Sequence, residues 1–388
     1  MHIRVLAGYL NRDAGNNVYN ISLANSLHER GHRVSMVAFN GSGLLSPGVS
    51  LTILPLHRFA QTKLWRLTYP LHIIFGTYDL WRAPLEAPDV CISAEHFFVA
   101  GHYAKFPKTP WIYLPHSRLI EEFVPTQYTG LARRVAQPTA VALQRWALRH
   151  ATTTMRFHES SREVMIDRYG LRADHPFFIN PQGVALPPPE VMEYRPWHRD
   201  TLRLLTVSAL REAKNHALAL QALARCSEVP GWHYDIVGDG PERGNLETVV
   251  QALKLGNRVT FHGARNDVGR FYSEADVFLF PSRADNAPLV VLEAMSFGVP
   301  VVALDDEAEG VALCNRAFIA PRRNGILASS EADFMAVVAD ILQRKIDIEG
   351  LSRAARHSVE NSFTWDAHVD RMVEKLMELV GRGTLVAG

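Results

Sequence analysis

The strongest constraint on this 388-residue chain is an alternation that runs through it twice. Short apolar runs bounded by Gly, Pro or charge alternate with segments of helical periodicity. The first series is Ile3–Gly8, Val34–Phe39, Leu51–Leu54, Val90–Ala94, Trp111–Leu114, Thr152–Met155 and Phe177–Ile179. The second is Arg203–Ser208, Trp232–Gly238, Val259–Gly263, Asp276–Phe280, Val299–Ala303 and Ala317–Ala320. Runs this short and this apolar read as strands buried on both faces, which is the pattern of a parallel sheet covered by helices. Asn17–Arg30 shows the helical part, with Ile21, Ala24 and Leu27 on one face and Gly31 as C-cap.

The two series are separated by the densest proline cluster of the chain, Pro187-Pro188-Pro189 with Pro181 and Pro196 nearby. Proline fixes φ and removes a donor, so the cluster reads as a linker. The expected organisation is two doubly wound α/β domains, residues 1–186 and 201–363, joined by a Pro-rich linker at 187–200. Residues 364–388 are expected to form a C-terminal helix packing back across the domains. Its apolar stripe is Val369, Met372, Val373, Leu376 and Leu379, and the last residues, GRGTLVAG, are expected to fray. Open α/β sheets bind ligands at the carboxyl ends of their strands, so a site in a cleft between two such domains is expected.

Composition narrows the class. Hydrophobic residues make up 47% and charged residues 21%, which fits globular cores of full size. A formal net charge of +1 argues against a nucleic-acid partner. Cys91, Cys226 and Cys314 are isolated and read as buried small hydrophobes. The N-terminal run MHIRVLAGYL lacks the features of a signal peptide, and no apolar run reaches the ~18 residues of a membrane span. The expected location is the cytoplasm.

The segment from Phe280 to Ala303, FPSRADNAPLVVLEAMSFGVPVVA, carries the chemistry. It reads as a strand end, a tight loop, an apolar helix and a second buried strand. Asp285 lies in the loop and Glu293 early in the helix. A helix start attracts phosphate, and carboxylates accept hydrogen bonds from hydroxyls. Together they suit a molecule with a diphosphate and sugar hydroxyls.

This segment resembles the signature of retaining glycosyltransferases of the GT-B fold, specifically glycosyltransferase family 4. The landmarks LHERGHRV (Leu27–Val34), LPHSR (Leu114–Arg118), INPQGVAL (Ile179–Leu186), VGDGPER (Val237–Arg243), FHGARND (Phe261–Asp267) and NGILA (Asn324–Ala328) occur in the family's order. The resemblance implies two Rossmann-like domains, the first binding acceptor and the second a nucleotide-sugar donor, UDP- or GDP-linked, with no metal requirement. It implies that Glu293 receives the ribose hydroxyls and that Asp285, where the family usually has Glu, contacts the transferred sugar. The loop Asn286, Ala287, Leu289 and Val290 would bind the diphosphate through backbone N–H groups, Pro288 having none. Lys214 would neutralise the leaving diphosphate. The Arg that usually stands five residues before this Lys is Ala209 here, and Arg211 is the nearest replacement. His116 would sit beside the sugar, Gly15 beside donor phosphate and acceptor, and Arg265 at the nucleobase pocket. Asp305-Asp306-Glu307 reads as an acidic surface loop rather than a metal site.

A basic and aromatic stretch, Lys63 to Arg82 with Trp65, Arg66, Tyr69 and Trp81, and a cluster of Arg133, Arg134, Arg145, Trp146 and Arg149, suit either an anionic membrane surface or snorkelling over a core. Peripheral contact with the inner membrane face is therefore an expectation. The function expected is retaining transfer of a hexose-type sugar to a hydroxyl acceptor. The alternatives are a non-catalytic sugar-nucleotide-binding subunit, or a GT-B epimerase or phosphorylase.

Overall fold

The structure is a computed structural model. It describes residues 1–8, 10, 15–41, 43–55, 69–116, 130–159, 161–188, 200–285, 288–309 and 314–386. The chain forms two compact units, one of Met1–Asn180 with Val369–Gly388 and the other of Pro181–His368.

In the first unit the strands are β1 (His2–Leu6), β2 (Arg33–Ala38), β3 (Ser50–Ile53), β4 (Val90–Ser93), β5 (Trp111–Tyr113), β6 (Thr153–Arg156) and β7 (Phe177–Ile179). Helices α1 (Gly15–Glu29), α2 (Tyr69–Arg82), α3 (His96–Lys105), α4 (Gly130–His150) and α5 (Ser161–Tyr169) join them. The sheet order is β3-β2-β1-β4-β5-β6-β7, and the strands pair in parallel throughout the described residues. Burial follows position. The inner strands β1, β4 and β6 are buried at every residue, whereas edge strands β3 and β7 are only partly covered. That is why the inner runs read as continuous apolar stretches.

The second unit has β8 (Leu202–Val207), β9 (Trp232–Val237), β10 (Val259–Gly263), β11 (Val277–Phe280), β12 (Val301–Leu304) and β13 (Gly325–Ala328), in the order β10-β9-β8-β11-β12-β13. Its helices are α6 (His216–Ala224), α7 (Arg243–Ala252), α8 (Val268–Glu274), α9 (Leu289–Ser296), α10 (Glu331–Leu342) and α11 (Ile348–Ser362). One expected strand is misplaced. Ala317–Ala320 is not extended; Asn315–Ala317 is a 3-10 turn and the edge strand is β13, within the NGILA landmark. Asn324 explains the error: its amide accepts from Ala320 N–H at 2.7 Å and donates to Phe318 O at 3.2 Å, curling the apolar run into a turn.

The last helix, α12 (Trp365–Val386), runs on through most of the GRGTLVAG tail. Val369, Met372, Leu376 and Leu379 are buried, and Val373 lies at the stripe's edge. In the first unit Arg371 Nε donates to Asn180 Oδ1 at 2.9 Å, and Asp370 pairs with Arg30 at 2.9 Å. Most of the Pro-rich stretch lies outside the described residues. The three cysteines are buried. Among the described residues no helix is long and apolar enough to cross a membrane.

Candidate active site

In each sheet the strand order reverses direction between two neighbours: β1 and β4 in the first, β8 and β11 in the second. Loops leaving these neighbours diverge to opposite faces and open a crevice at the strands' carboxyl ends, where ligands of such sheets bind. Lys214 and Asp285 follow the second pair of neighbours, β8 and β11; in the first unit Gly15 follows β1 and His116 follows β5, next to β4, while Arg265 follows the edge strand β10.

In the second unit, β8 runs into Ser208 and then a 3-10 turn, Glu212–Lys214. The turn ends at Asn215, whose φ of 51° reverses the chain into α6. The loop is braced from the side by the VGDGPER landmark. Gly238 has φ 139°, and a Cβ there would lie 1.9 Å from Ser208 O; one at Gly240 would lie 2.4 Å from Leu210 O. Both positions therefore require glycine for close backbone approach.

The loop after β11 is tied to this turn. Arg283 N–H donates to Ala213 O at 2.9 Å, and Ser282 Oγ to the same carbonyl at 3.3 Å. This brings Asp285 to Lys214, with Nζ 2.5 Å from Oδ2 and both side chains about one-fifth exposed. Lys214 also stands 5.7 Å above the centre of the Phe280 ring. The ammonium is thus held by a carboxylate and an aromatic face, at the mouth of the second crevice.

Helix α9 starts just beyond, with Pro288 as N-cap. The N–H groups of Leu289 and Val290 fall in its first turn, which has no intrahelical acceptors for them. Asn286 and Ala287 lie outside the described residues. Glu293 comes one turn into the helix rather than at its start. Its Oε2 accepts from Tyr272 Oη at 2.9 Å, and Tyr272 lies against Phe297 with ring centres 5.5 Å apart. Burial raises the Glu293 pKa, and the tyrosine hydroxyl opposes that rise. One carboxylate oxygen is thus anchored.

Two predicted cations lie on exposed loops of this unit. Arg265 is exposed and forks onto Asp267, with both N–O distances at 2.8 Å, so its guanidinium is committed to a neighbour on its own loop. Arg211 is exposed, with no ion pair among the described residues. The acidic run is not a surface loop throughout. Asp305 is buried and gripped by Arg316 at 2.6 and 2.8 Å, which holds its pKa below the usual carboxylate range. Asp306 accepts the N–H groups of Asn315 and Arg316. Among the described residues no group of three His, Cys, Asp or Glu is placed to hold a metal ion.

Two further residues escaped the sequence reading. Glu331, first in α10, accepts from Asn215 Nδ2 at 3.1 Å and Arg283 Nε at 3.0 Å. It therefore bridges the loop of Lys214 and the loop of Asp285, and nothing in the sequence marks a carboxylate so far along the chain. The second, His216, opens α6 and pairs through Nε2 with Ser208 Oγ at 3.0 Å; burial pushes its pKa down to about 4.

In the first unit, His116 follows β5. Burial and the nearby Arg156 push its pKa down to about 4, so it is neutral near pH 7. Tyr19 meets it edge-on at 5.5 Å, and its Nε2 is buried with no hydrogen-bond partner among the described residues. Arg156 donates to Pro115 O at 2.7 Å, fixing the backbone before the histidine. Gly15 opens α1 in the segment after β1. Lys63, Trp65 and Arg66 lie outside the described residues. Further along that stretch, Phe75, Tyr78 and Trp81 of α2 are 47%, 48% and 52% exposed.

Comparison with known proteins bears on the family and the fold. Residues 192–358 match the family model for glycosyl transferases group 1, and residues 14–185 match that for glycosyltransferase family 4. An uncharacterised glycosyltransferase of Haemophilus influenzae is 40% identical over 85 residues, covering 22% of this chain and 24% of that protein. Across three such curated relatives the matched stretch spans only 17%, 24% and 26% of their length. Among solved structures, the sucrose-phosphate synthase of Thermosynechococcus elongatus superposes with a TM-score of 0.72 at 20% identity, covering 98% of this chain and 99% of that one. The Anabaena protein HepE, solved in complex with UDP-glucose, gives 0.68 at 18% identity, covering 97% and 100%. The chain has the GT-B fold and belongs to the group 1, family 4 glycosyltransferases.

Proposed function

We propose that this protein is a retaining glycosyltransferase that moves a hexose-type sugar from a nucleotide diphosphate sugar to a hydroxyl acceptor. The observation that carries the reading is the Lys214–Asp285 pair at the second sheet's switch point, beside the first turn of α9. The diphosphate lies on the Leu289 and Val290 N–H groups, and the ribose hydroxyls donate to the free oxygen of Glu293. Donor binding exchanges the ion pair: Lys214 turns to the phosphate oxygens and Asp285 to the sugar hydroxyls. Arg211 supplies a second positive charge where Ala209 supplies none. The bond from the anomeric carbon to the diphosphate breaks and a bond to the acceptor oxygen forms on the same face. The departing phosphate oxygen takes the acceptor's proton, and Lys214 stabilises the charge left behind. Neutral His116 orients hydroxyls in the first unit.

A melting screen with UDP, GDP, ADP and their sugars tests the donor half. Ligand at ~100 times its dissociation constant adds ~2.7 kcal/mol. No shift with any nucleotide sugar sinks the reading. The counter-charge is assigned to Lys214, so turnover persists in EDTA. A bound nucleotide with no transfer or donor hydrolysis favours a non-catalytic subunit. Sugar released onto inorganic phosphate, or an epimerised product, favours the phosphorylase or epimerase alternative.

The exposed aromatic row of α2, with the exposed Arg82, Arg145 and Arg149, suits contact with an anionic bilayer. Co-sedimentation with phosphatidylglycerol vesicles but not phosphatidylcholine vesicles is the expected result. Equal recovery with both refutes the contact.

A further inference from the structure

We propose that Glu95 is the acceptor-specificity residue of the first unit, its carboxyl group receiving the hydroxyls of a neutral saccharide acceptor and disfavouring anionic ones. The inference rests on the transferase reading above and deepens it.

The argument starts from topology. The first sheet reverses between β1 and β4. Ala94 N–H donates to Leu6 O at 3.1 Å and Leu114 N–H to Ser93 O at 2.8 Å, so the ends of β1, β4 and β5 stay in step beyond the last paired residues. Gly8, Glu95 and His116 follow those three ends. The Gly8 N–H donates to the Glu95 carboxylate across the switch point. The second sheet carries Asp285 at the corresponding place, after the strand that neighbours its own first strand.

Beyond the Gly8 contact, the usual structural uses of such a residue do not account for it. Glu95 occupies the N-cap position of α3, yet its side chain makes no capping hydrogen bond. It forms no ion pair among the described residues. Ser93 Oγ donates to its backbone carbonyl at 2.9 Å, fixing the main chain and leaving the carboxyl group to the crevice. Nearby in the fold, His116 presents a buried ring nitrogen without a hydrogen-bond partner among the described residues. A partly buried carboxyl after β4 and an unpartnered imidazole nitrogen after the adjacent β5 match a polyol, which donates and accepts at neighbouring hydroxyls.

Charge supplies the selectivity. Burial pushes the Glu95 pKa up to about 7, the mark of a site where negative charge is already costly. A second anion, such as a uronate, would add like-charge repulsion there, whereas a neutral pyranoside would not.

The test uses the full chain and whichever of UDP-glucose, UDP-galactose, UDP-N-acetylglucosamine and GDP-mannose shifts the melting curve most. Acceptors are neutral p-nitrophenyl pyranosides and the matching glucuronide. The wild-type protein is expected to favour the neutral glycosides. Glu95→Gln is expected to raise their KM about tenfold, the scale of one hydrogen bond to a charged group. Acceptor-free donor hydrolysis is expected to stay within about twofold. The preference over glucuronide should narrow in this variant. Should Glu95→Gln fail to fold, Glu95→Asp keeps the charge on a shorter arm: KM rises while discrimination against glucuronide persists. An unchanged acceptor KM, an equal fall in donor hydrolysis, or a wild-type preference for glucuronide overturns the proposal. Donor hydrolysis without transfer to any neutral glycoside also overturns it, and leaves the donor reading standing. Failure to engage any donor sinks the transferase reading itself.

Discussion

Lys214 Nζ lies 2.5 Å from Asp285 Oδ2, closing an ion pair between the loops that follow β8 and β11. The two charges neutralise one another, and the proposed donor binding separates them. Lys214→Ala is expected to lower turnover at least ~100-fold, the scale for losing one preorganised electrostatic contact. Asp285→Asn should lower it through a different contact, with the sugar. The double variant should lose less than the product of the two, because the pair interacts directly. Initial rates of nucleotide release for the three proteins check this, and strict additivity would count against the ion-pair exchange.

Glu293 is held by Tyr272 through one oxygen. Glu293→Ala is expected to cut transfer at least ~100-fold. Tyr272→Phe leaves the carboxylate in place without its partner, a change of about 1–3 kcal/mol for a hydrogen bond to a charged group. It should weaken UDP binding by calorimetry more than it lowers kcat at saturating donor. Unaltered binding in Tyr272→Phe would show that the anchor does not matter to the donor.

Glu331 touches neither of the proposed catalytic groups, yet binds the residue after Lys214 and a residue two before Asp285. Glu331→Ala is expected to lower kcat about tenfold, with a smaller effect of Glu331→Gln, which keeps the accepting oxygen. Combined with Lys214→Ala, the alanine variant should add little. A full further tenfold loss in that background would assign Glu331 a role independent of the pair.

Gly238→Ala is expected to destabilise the second unit by more than about 2 kcal/mol, because the new Cβ meets the Ser208 carbonyl and φ is positive. Chemical denaturation followed by tryptophan fluorescence measures it, and a wild-type midpoint would contradict the close approach.

Acid sensitivity follows from buried neutral histidines. His116 and His216 titrate near 4 and His102 near 3 in the folded protein, all lowered chiefly by burial from an ordinary 6.5. A depressed pKa favours the folded state above the unfolded value and loses that favour as pH falls toward the folded one. The melting temperature is therefore expected to drop from pH 6.5 toward pH 4, and less steeply in His216→Asn. Parallel profiles for the two proteins would show that His216 is not among the groups responsible.

The sequence by itself determined the two parallel sheets and all but one of their strands. Inner parallel strands are buried on both faces, so β1, β4, β11 and β12 appear as apolar runs that no other element explains. Asp285 and Glu293 stood out from the residues of their own segment, whereas Lys214 and His116 were singled out through the family resemblance. The strand misplaced at Ala317–Ala320 was as apolar as a true one, and only the Asn324 side chain, reaching back along the chain, turned it. Tertiary structure decided the pairing of Lys214 with Asp285, the tyrosine behind Glu293 and the bridge from Glu331. It also committed Arg265 to Asp267 and sank Asp305 beneath Arg316. These contacts join different segments or depend on side-chain direction, and hydrophobic periodicity carries no information about either.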